Sequence, residues 1–544
     1  MHRCLQIPEI ILNIVDEVSP RQLKTFLSFG LACRAFQNAA LDKIWEGPAD
    51  HGILFRNLLY CFPQDLLETV VDTSGQVKLR LCRPLKRGDW ERPALYCARV
   101  RHVSLSYAAA SRYAPILSFI AVTFTGEFLF PRIRSLYWDM SNPAVKHRDT
   151  DLVAFIRLLV PHTLQEMRLE KPHGGFDLML SVLPAISTRV RALTELDLGS
   201  GPMTGCSVDE CGAISDLVLC LDRVQCLSVP AIDGRAWLHL AQLPDLDSLT
   251  LETSLDVLDV FPRDTTVERP FPKLARLSMG YVTVPVAIRI LSLVARAPLD
   301  SLFFTPAFST HPGDLAAFYA ALAETTHLTE TLQSVNQSRS HRPRNAADAP
   351  QSGVPRAALV SLGSFSQLIH IFLQSFGPFD MDEPTLLGLA RSCPQLQTLR
   401  LTQNGPGSIL PLNALVGLAS FCPHLEEINI TFDTTTIPSL RATGTNGERR
   451  AKLELLTELG VGQSAINEEQ VFDMARFVSG LCPALSYIFC DLTPQTGADA
   501  LWARVRLLTL SLHQVRKEER EWVIAGGATD DEIGDDEMED AVDK

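Results

Sequence analysis

The frame L-x-x-L-x-L, with Val, Ile, Met or an aromatic residue admitted at the apolar positions, recurs along most of this chain. It starts at Val100, Ile133, Leu164, Leu193, Val224, Leu246, Leu274, Leu299, Leu332, Leu368, Leu396, Leu425, Leu456, Leu485 and Val505. These fifteen starts advance by about 29 residues on average, a period that points to stacked repeats and not to a string of independent domains. One such unit cannot bury its apolar side alone, so the units must stack and share a continuous core.

Alternation sends the last two apolar positions of each frame inward and the residues between them outward, as in a strand. The preceding segments, such as MDEPTLLGLARSCPQ and LNALVGLASFCPH, carry helical spacing. Each unit therefore reads as a strand plus a helix. Stacking such units gives a curved solenoid with a parallel sheet on the concave face and helices on the convex face. CPQL (Cys393–Leu396), CPHL (Cys422–Leu425) and CPAL (Cys482–Leu485) recur at the helix-to-strand junction, where proline ends a helix and a small cysteine fits a packed seam. Pro244 and Pro298 hold the same place in other units.

The pattern resembles leucine-rich repeats over residues 100–515, with departures. Only Asn404 occupies the family's asparagine position, the steps vary from 20 to 36 residues, and Gln337 stands where an apolar residue belongs. Residues 336–356 are rich in Ser, Pro, Arg and Asn and are expected to form a disordered insertion, with a second weak segment at 441–452.

Ahead of the repeats, Ile7, Ile10, Ile11, Ile14, Val15 and Val18 follow helical spacing, with Pro8 and Glu9 in the favoured first turn. Leu23, Phe26, Leu27 and Leu31 suggest a second helix; Cys33, Phe36, Ala40, Leu41, Ile44 and Trp45 suggest a third. A core this small is marginal alone and suited to a partner. LQIPEIILNIV, then CRAF, then the terminal Leu41 and Trp45, resemble the F-box consensus over residues 4–46. Ile7 replaces the usual leucine and Phe36 the common tryptophan, and both keep an apolar contact.

The segment Arg83 to Leu105 resembles the connector of F-box and leucine-rich-repeat proteins of mushroom-forming fungi, and the F-box resemblance implies an adaptor. The F-box would dock on Skp, and through it on cullin and RING subunits of a ubiquitin ligase, while the repeats hold a protein substrate. It implies Skp-binding roles for Ile7, Pro8, Glu9, Ile10, Ile11 and Ile14, completed or supported by Cys33, Arg34, Phe36 and Trp45. A cytoplasmic or nuclear location goes with it. The other reading is a repeat scaffold that binds proteins outside any ligase. Residues 47–99 are expected to be a helical connector and cap, with Trp90 and Tyr96 covering the open end of the first repeat.

Composition narrows the function classes. The net charge of −14 argues against general nucleic-acid binding. Nine acids and one lysine in DDEIGDDEMEDAVDK contribute −8 of it, so 525–544 is expected to be an acidic disordered tail. IILNIVDEV is too polar for a secretory signal, and no window has the ~20 apolar residues of a membrane span. The 13 cysteines form no CxxC pair and are expected to be reduced, without metal.

No nucleophile elbow, phosphate loop or zinc-protease motif occurs, so neither catalysis nor a cofactor is expected. Recognition is expected on outward strand positions: Tyr137, Asp139, Glu166, Arg168, Glu170, Glu195, Asp197, Phe303, Phe372 and Arg400, with Thr250, Glu252, Arg276, Asn429 and Phe489 in the same frame. The acids of the early repeats favour a basic protein segment.

Overall fold

The computed structural model describes residues 7–19, 22–47, 53–71, 77–105, 117, 120–121, 124, 126–138, 155–169, 176–199, 206–252, 268–307, 310–338, 353–375, 377–403, 409–438, 452–490 and 498–526. Its packing divides into a unit over Met1–Leu299 and a unit over Asp300–Lys544.

The first unit opens with α1 (Pro8–Asp16), α2 (Leu23–Ala32) and α3 (Arg34–Glu46). Pro8 starts α1 where its missing N–H costs nothing, and Glu9 sits in the positive first turn. Ile11, Val15, Phe26 and Ala39 form the buried centre, with Val18, Phe29, Phe36 and Ile44 packed around it. Gly30 lets α2 approach α3 closely, since a Cβ there would meet the Ala40 Cβ at 2.9 Å. Lys43 Nζ ties α3 to α1 through Asp16 (2.8 Å) and also contacts Glu46 (2.8 Å).

The connector is not helical throughout. After α4 (Ile53–Leu59), β1 (Leu67–Val71) and β2 (Val77–Leu81) pair antiparallel, then a 3₁₀ turn (Arg87–Trp90) leads into α5 (Glu91–Cys97). The runs LETVV and VKLRL, β-branched and alternating, outweigh the helical reading. Arg83 closes this region by donating to both Asp65 (Nε, 2.6 Å) and Asp89 (Nη1, 2.7 Å). Trp90 lies between Phe62 (5.0 Å between ring centroids) and Phe124 (4.8 Å), and Tyr96 stacks on Trp45 (4.7 Å). These contacts tie the connector to α3 through Tyr96 and to Phe124 through Trp90.

A parallel sheet follows: β3 (His102–Leu105), β4 (Ser135–Trp138), β5 (Glu166–Leu169), β6 (Glu195–Asp197), β7 (Cys226–Val229), β8 (Ser248–Leu251) and β9 (Arg276–Val282). In the second unit the same arrangement runs through β10 (Ser301–Pro306), β11 (Ser334–Gln337), β12 (His370–Ser375), β13 (Thr398–Gln403), β15 (Glu427–Asn429), β17 (Glu458–Gly460) and β18 (Tyr487–Phe489). A small parallel pair, β14 (Leu410–Pro411) with β16 (Phe432–Asp433), stands apart from it. All three apolar positions of the frame are buried, as Ile133, Leu136 and Trp138 or Leu396, Leu399 and Leu401 illustrate. Each such side chain removed from water contributes roughly 1.5–3 kcal/mol.

Backbone bonds join neighbouring repeats at the strand entrances. The Arg101 carbonyl accepts from the N–H groups of Arg134 (2.6 Å) and Ser135 (3.1 Å), and the Arg134 carbonyl accepts from Gln165 (2.8 Å) and Glu166 (2.9 Å). The same fork recurs in the second unit, where the Gln333 carbonyl accepts from Ile369 and His370 and the Gln397 carbonyl from Glu426 and Glu427. Asn404 lies outside the described residues.

The CP-x-L cysteines sit in this seam. Cys393, Cys422 and Cys482 are buried, and the first two donate to the carbonyls of Phe365 (3.4 Å) and Ala390 (3.4 Å). Burial pushes the Cys393 and Cys422 thiols up to about 12, and Cys482 in the same direction. A thiol held protonated in this way packs as a small apolar group.

Two repeat readings change. Gln337 is buried on β11, where its side-chain carbonyl accepts from the Tyr319 hydroxyl (2.8 Å) and its amide donates to the Gln374 carbonyl (3.3 Å). The expected insertion is thus shorter than 336–356: Asn336 and Gln337 lie on β11, and Arg356 opens the helix Arg356–Leu362. Residues 339–352 and 439–451 lie outside the described set.

The fifteenth frame, Val505–Leu510, is not a strand. It lies inside the helix Ala498–Gly526, which buries Trp502, Val505 and Thr509 at helical spacing. Trp502 Nε1 donates to the Ser464 carbonyl (2.9 Å), so this helix seals the end of the second unit's stack. The helix also takes in Ala525 and Gly526, which the sequence reading assigns to the tail; residues 527–544 lie outside the described set.

Candidate protein-interaction surfaces

The N-terminal helices separate their apolar residues into two sets. Ile11 and Val15 face the small core, whereas Ile7 (44% exposed), at the N-cap of α1, and Ile14 (39%), about two turns further on, lie on its open side. Leu27 (51%) and Leu31 (86%), four residues apart, do the same on α2. Leu12 is exposed as well, and leaving five large aliphatic side chains in water on so small a bundle contributes nothing to its folding.

The other residues expected here divide the same way. Pro8, Glu9 and Arg34 are exposed, and Ile10 is half-buried. Cys33 accepts from the Ala35 N–H (3.4 Å) at the start of α3. Phe36 stacks on Phe29 (4.3 Å), and Trp45 is buried against Tyr96. Ile11 and Phe36 thus hold the bundle together and Trp45 ties α3 to α5, while Ile7 and Ile14 present themselves outward. Leu27 and Leu31 join the outward set; their i, i+4 spacing beside Phe26 is the sequence signal that marks them.

On the sheet of the first unit, strand register places Ser104, Tyr137, Arg168, Asp197, Ser228 and Thr250 in one row. The Arg168 guanidinium lies over the Tyr137 ring (5.4 Å to the centroid) and pairs through Nε with Asp197 (3.1 Å). Two residues earlier, Glu166 and Glu195 are paired directly across β5 and β6, both exposed. Like charges opposed in this way repel, and a cation placed between them relieves the repulsion. Asp139 and Glu170 lie outside the described residues.

The second unit repeats the motif. Register aligns Phe303, Asn336, Phe372, Arg400 and Asn429. Arg400 lies over Phe372 (5.4 Å), forms an ion pair with Glu427 and approaches Glu458 (3.9 Å). Phe489 ends the row on β18 and stacks with Tyr487 (5.9 Å). An aromatic, an arginine and an acid from neighbouring strands make an amphipathic, hydrogen-bonding surface of the kind that contacts protein chains. In the first unit Arg276 departs from this motif, since it pairs with Asp247 at the strand entrance.

Among the described residues, no group of three His, Cys, Asp or Glu is placed to hold a metal ion, and no helix is long and apolar enough to cross a membrane.

The fold and these surfaces define an α/β protein built of repeated strand–helix units behind an N-terminal helical bundle. No family model and no curated protein matches the chain. Among solved structures, the crystal structure of the Rad7 and Elc1 complex in yeast matches with 17% identity and a TM-score of 0.33, covering 57% of this chain and 75% of that one.

Proposed function

We propose that this protein is a substrate-recognition subunit of a Skp-cullin-F-box ubiquitin ligase, with no catalytic residues of its own. The observation that carries the reading is the outward apolar set Ile7, Ile14, Leu27 and Leu31, on a bundle whose own core is completed by other residues. A helix bundle of this kind gains its missing burial by docking on a Skp-type adaptor. The aromatic–arginine–acid row of each unit then offers a substrate surface on leucine-rich repeats, and the Glu166–Glu195 pair favours a basic segment of the bound protein.

The test is to mix purified full-length chain with purified Skp-type adaptor and follow the mixture by size-exclusion chromatography. A stoichiometric complex is expected for the native chain and none for the Ile7→Asp, Leu31→Asp double variant. Absence of a complex with the native chain, or its retention in the variant, overturns the reading.

A further inference from the structure

The second unit carries a basic groove that the adaptor reading does not use. It measures about 680 Å³ and lies between the end of the helix Val471–Leu481 and the long helix Ala498–Gly526. Lys452, Ser479, His513, Arg516, Lys517 and Arg520 line it. The positions 513, 516, 517 and 520 share one face of the helix, an arc of about 100°. Glu518 and Glu519 fall outside that arc, and Glu518 is engaged by the Gln514 amide (2.7 Å).

The cations of this groove lack counter-charges. Arg516 donates to the Ser479 hydroxyl (2.5 Å), and among the described residues neither it nor Lys452, Lys517 or Arg520 has a carboxylate partner. The His513 ring is partly buried against the Ser479 and Cys482 carbonyls, and its Nε2 has no hydrogen-bond partner. Four positive charges clustered without acids repel one another and select for an anionic occupant.

We propose that this groove is the docking site of an acidic peptide, and that its occupant is the chain's own run Asp530–Asp543. Charge complementarity and reach carry the assignment. The run holds nine acids, and it follows the helix that bears the basic face. From Gly526 back to Arg520 is about 9 Å along the helix, and to His513 about 20 Å. The four residues from Gly526 to Asp530 span up to ~14 Å, and the acidic run itself up to ~45 Å, so it reaches the whole groove. Tethering gives the run a millimolar-range effective concentration there, well above that of a free acidic peptide in dilute solution.

Amide resonances of residues 530–543 in the ¹⁵N-labelled full-length chain test this. At low salt the native chain is expected to broaden them. The Lys517→Glu, Arg520→Glu variant, or ~1 M salt, is expected to sharpen them, as screening removes the attraction. Both substitutions are at exposed positions, and an unchanged melting temperature checks the fold. A fluorescein-labelled peptide of residues 528–544 is the second probe. It is expected to bind at least tenfold more tightly to a full-length chain whose tail acids are changed to Asn and Gln than to the native chain. Adding the groove substitutions to that chain is expected to abolish the gain. Sharp tail resonances in the native chain at low salt overturn the proposal, and if the labelled peptide still binds through Lys517 and Arg520 they make an outside acidic partner the occupant. Equal peptide affinity for all three proteins overturns it too, since the groove then does not select an acidic peptide.

Discussion

Arg83 holds Asp65 and Asp89 at once, and the consequence appears in acid. The guanidinium, first, and then the Lys86 N–H (2.8 Å) hold the Asp89 carboxyl down to about 2; Arg83 also lowers Asp65. A carboxylate whose folded value is depressed adds stability that is fully present above its unfolded value near 3.9 and is lost as pH falls through its folded value. The contribution of Asp89 therefore disappears between about pH 4 and pH 2. Asp89→Asn should lower the melting temperature at neutral pH and flatten its fall across that window, measured by thermal melts from pH 7 to 2. A second single-residue prediction concerns Gln337, which departs from the apolar frame. Gln337→Leu restores the repeat consensus, yet it strips the buried Tyr319 hydroxyl and the Gln374 carbonyl of their partners. We expect a loss of ~1–3 kcal/mol in denaturant unfolding, largely recovered when Tyr319→Phe is added, because removing both partners removes the orphaned donor.

At the scale of elements, the last helix shows where pattern alone misleads. VRLLTL satisfies the repeat frame, but Trp502, Val505 and Thr509 bury at i, i+3 and i+7 with no proline or glycine between them to stop a helix. A six-residue frame fits a strand or two turns of helix, and only the longer surroundings separate them. Strands β13, β15 and β18 were legible because each follows a helix that ends at a Cys-Pro junction and alternates with period two. The candidate surfaces were partly legible. The outward strand residues followed from alternation, and register then set Tyr137 beside Arg168 and Phe372 beside Arg400. The ion pairs were hidden, since Asp197 and Glu427 lie about 30 residues from their arginines in sequence. The helix tests its own role as an end seal. Trp502→Ala removes a buried indole and its bond to the Ser464 carbonyl, so a loss of ~3–5 kcal/mol is expected by denaturant unfolding of the full chain.

At the scale of the molecule, the proposed docking role can be tested apart from stability in the N-terminal bundle, because its isoleucines divide between core and exposed face. Ile11 is 5% exposed and packs with Val15, Phe26 and Ala39, so Ile11→Asp places a charge in the core and should unfold the bundle. Ile7 and Leu31 are already in water, so Ile7→Asp with Leu31→Asp should change stability by no more than ~0.5 kcal/mol per site. Both variants are expected to lose the adaptor complex, for different reasons. Circular dichroism and amide exchange of α1–α3 distinguish them: protection is lost in Ile11→Asp and kept in the double variant. Kept protection with a lost complex isolates the outward face as the docking element. Lost protection in the double variant would instead make Ile7 and Leu31 part of the fold, and the apolar face would then have no separate binding role.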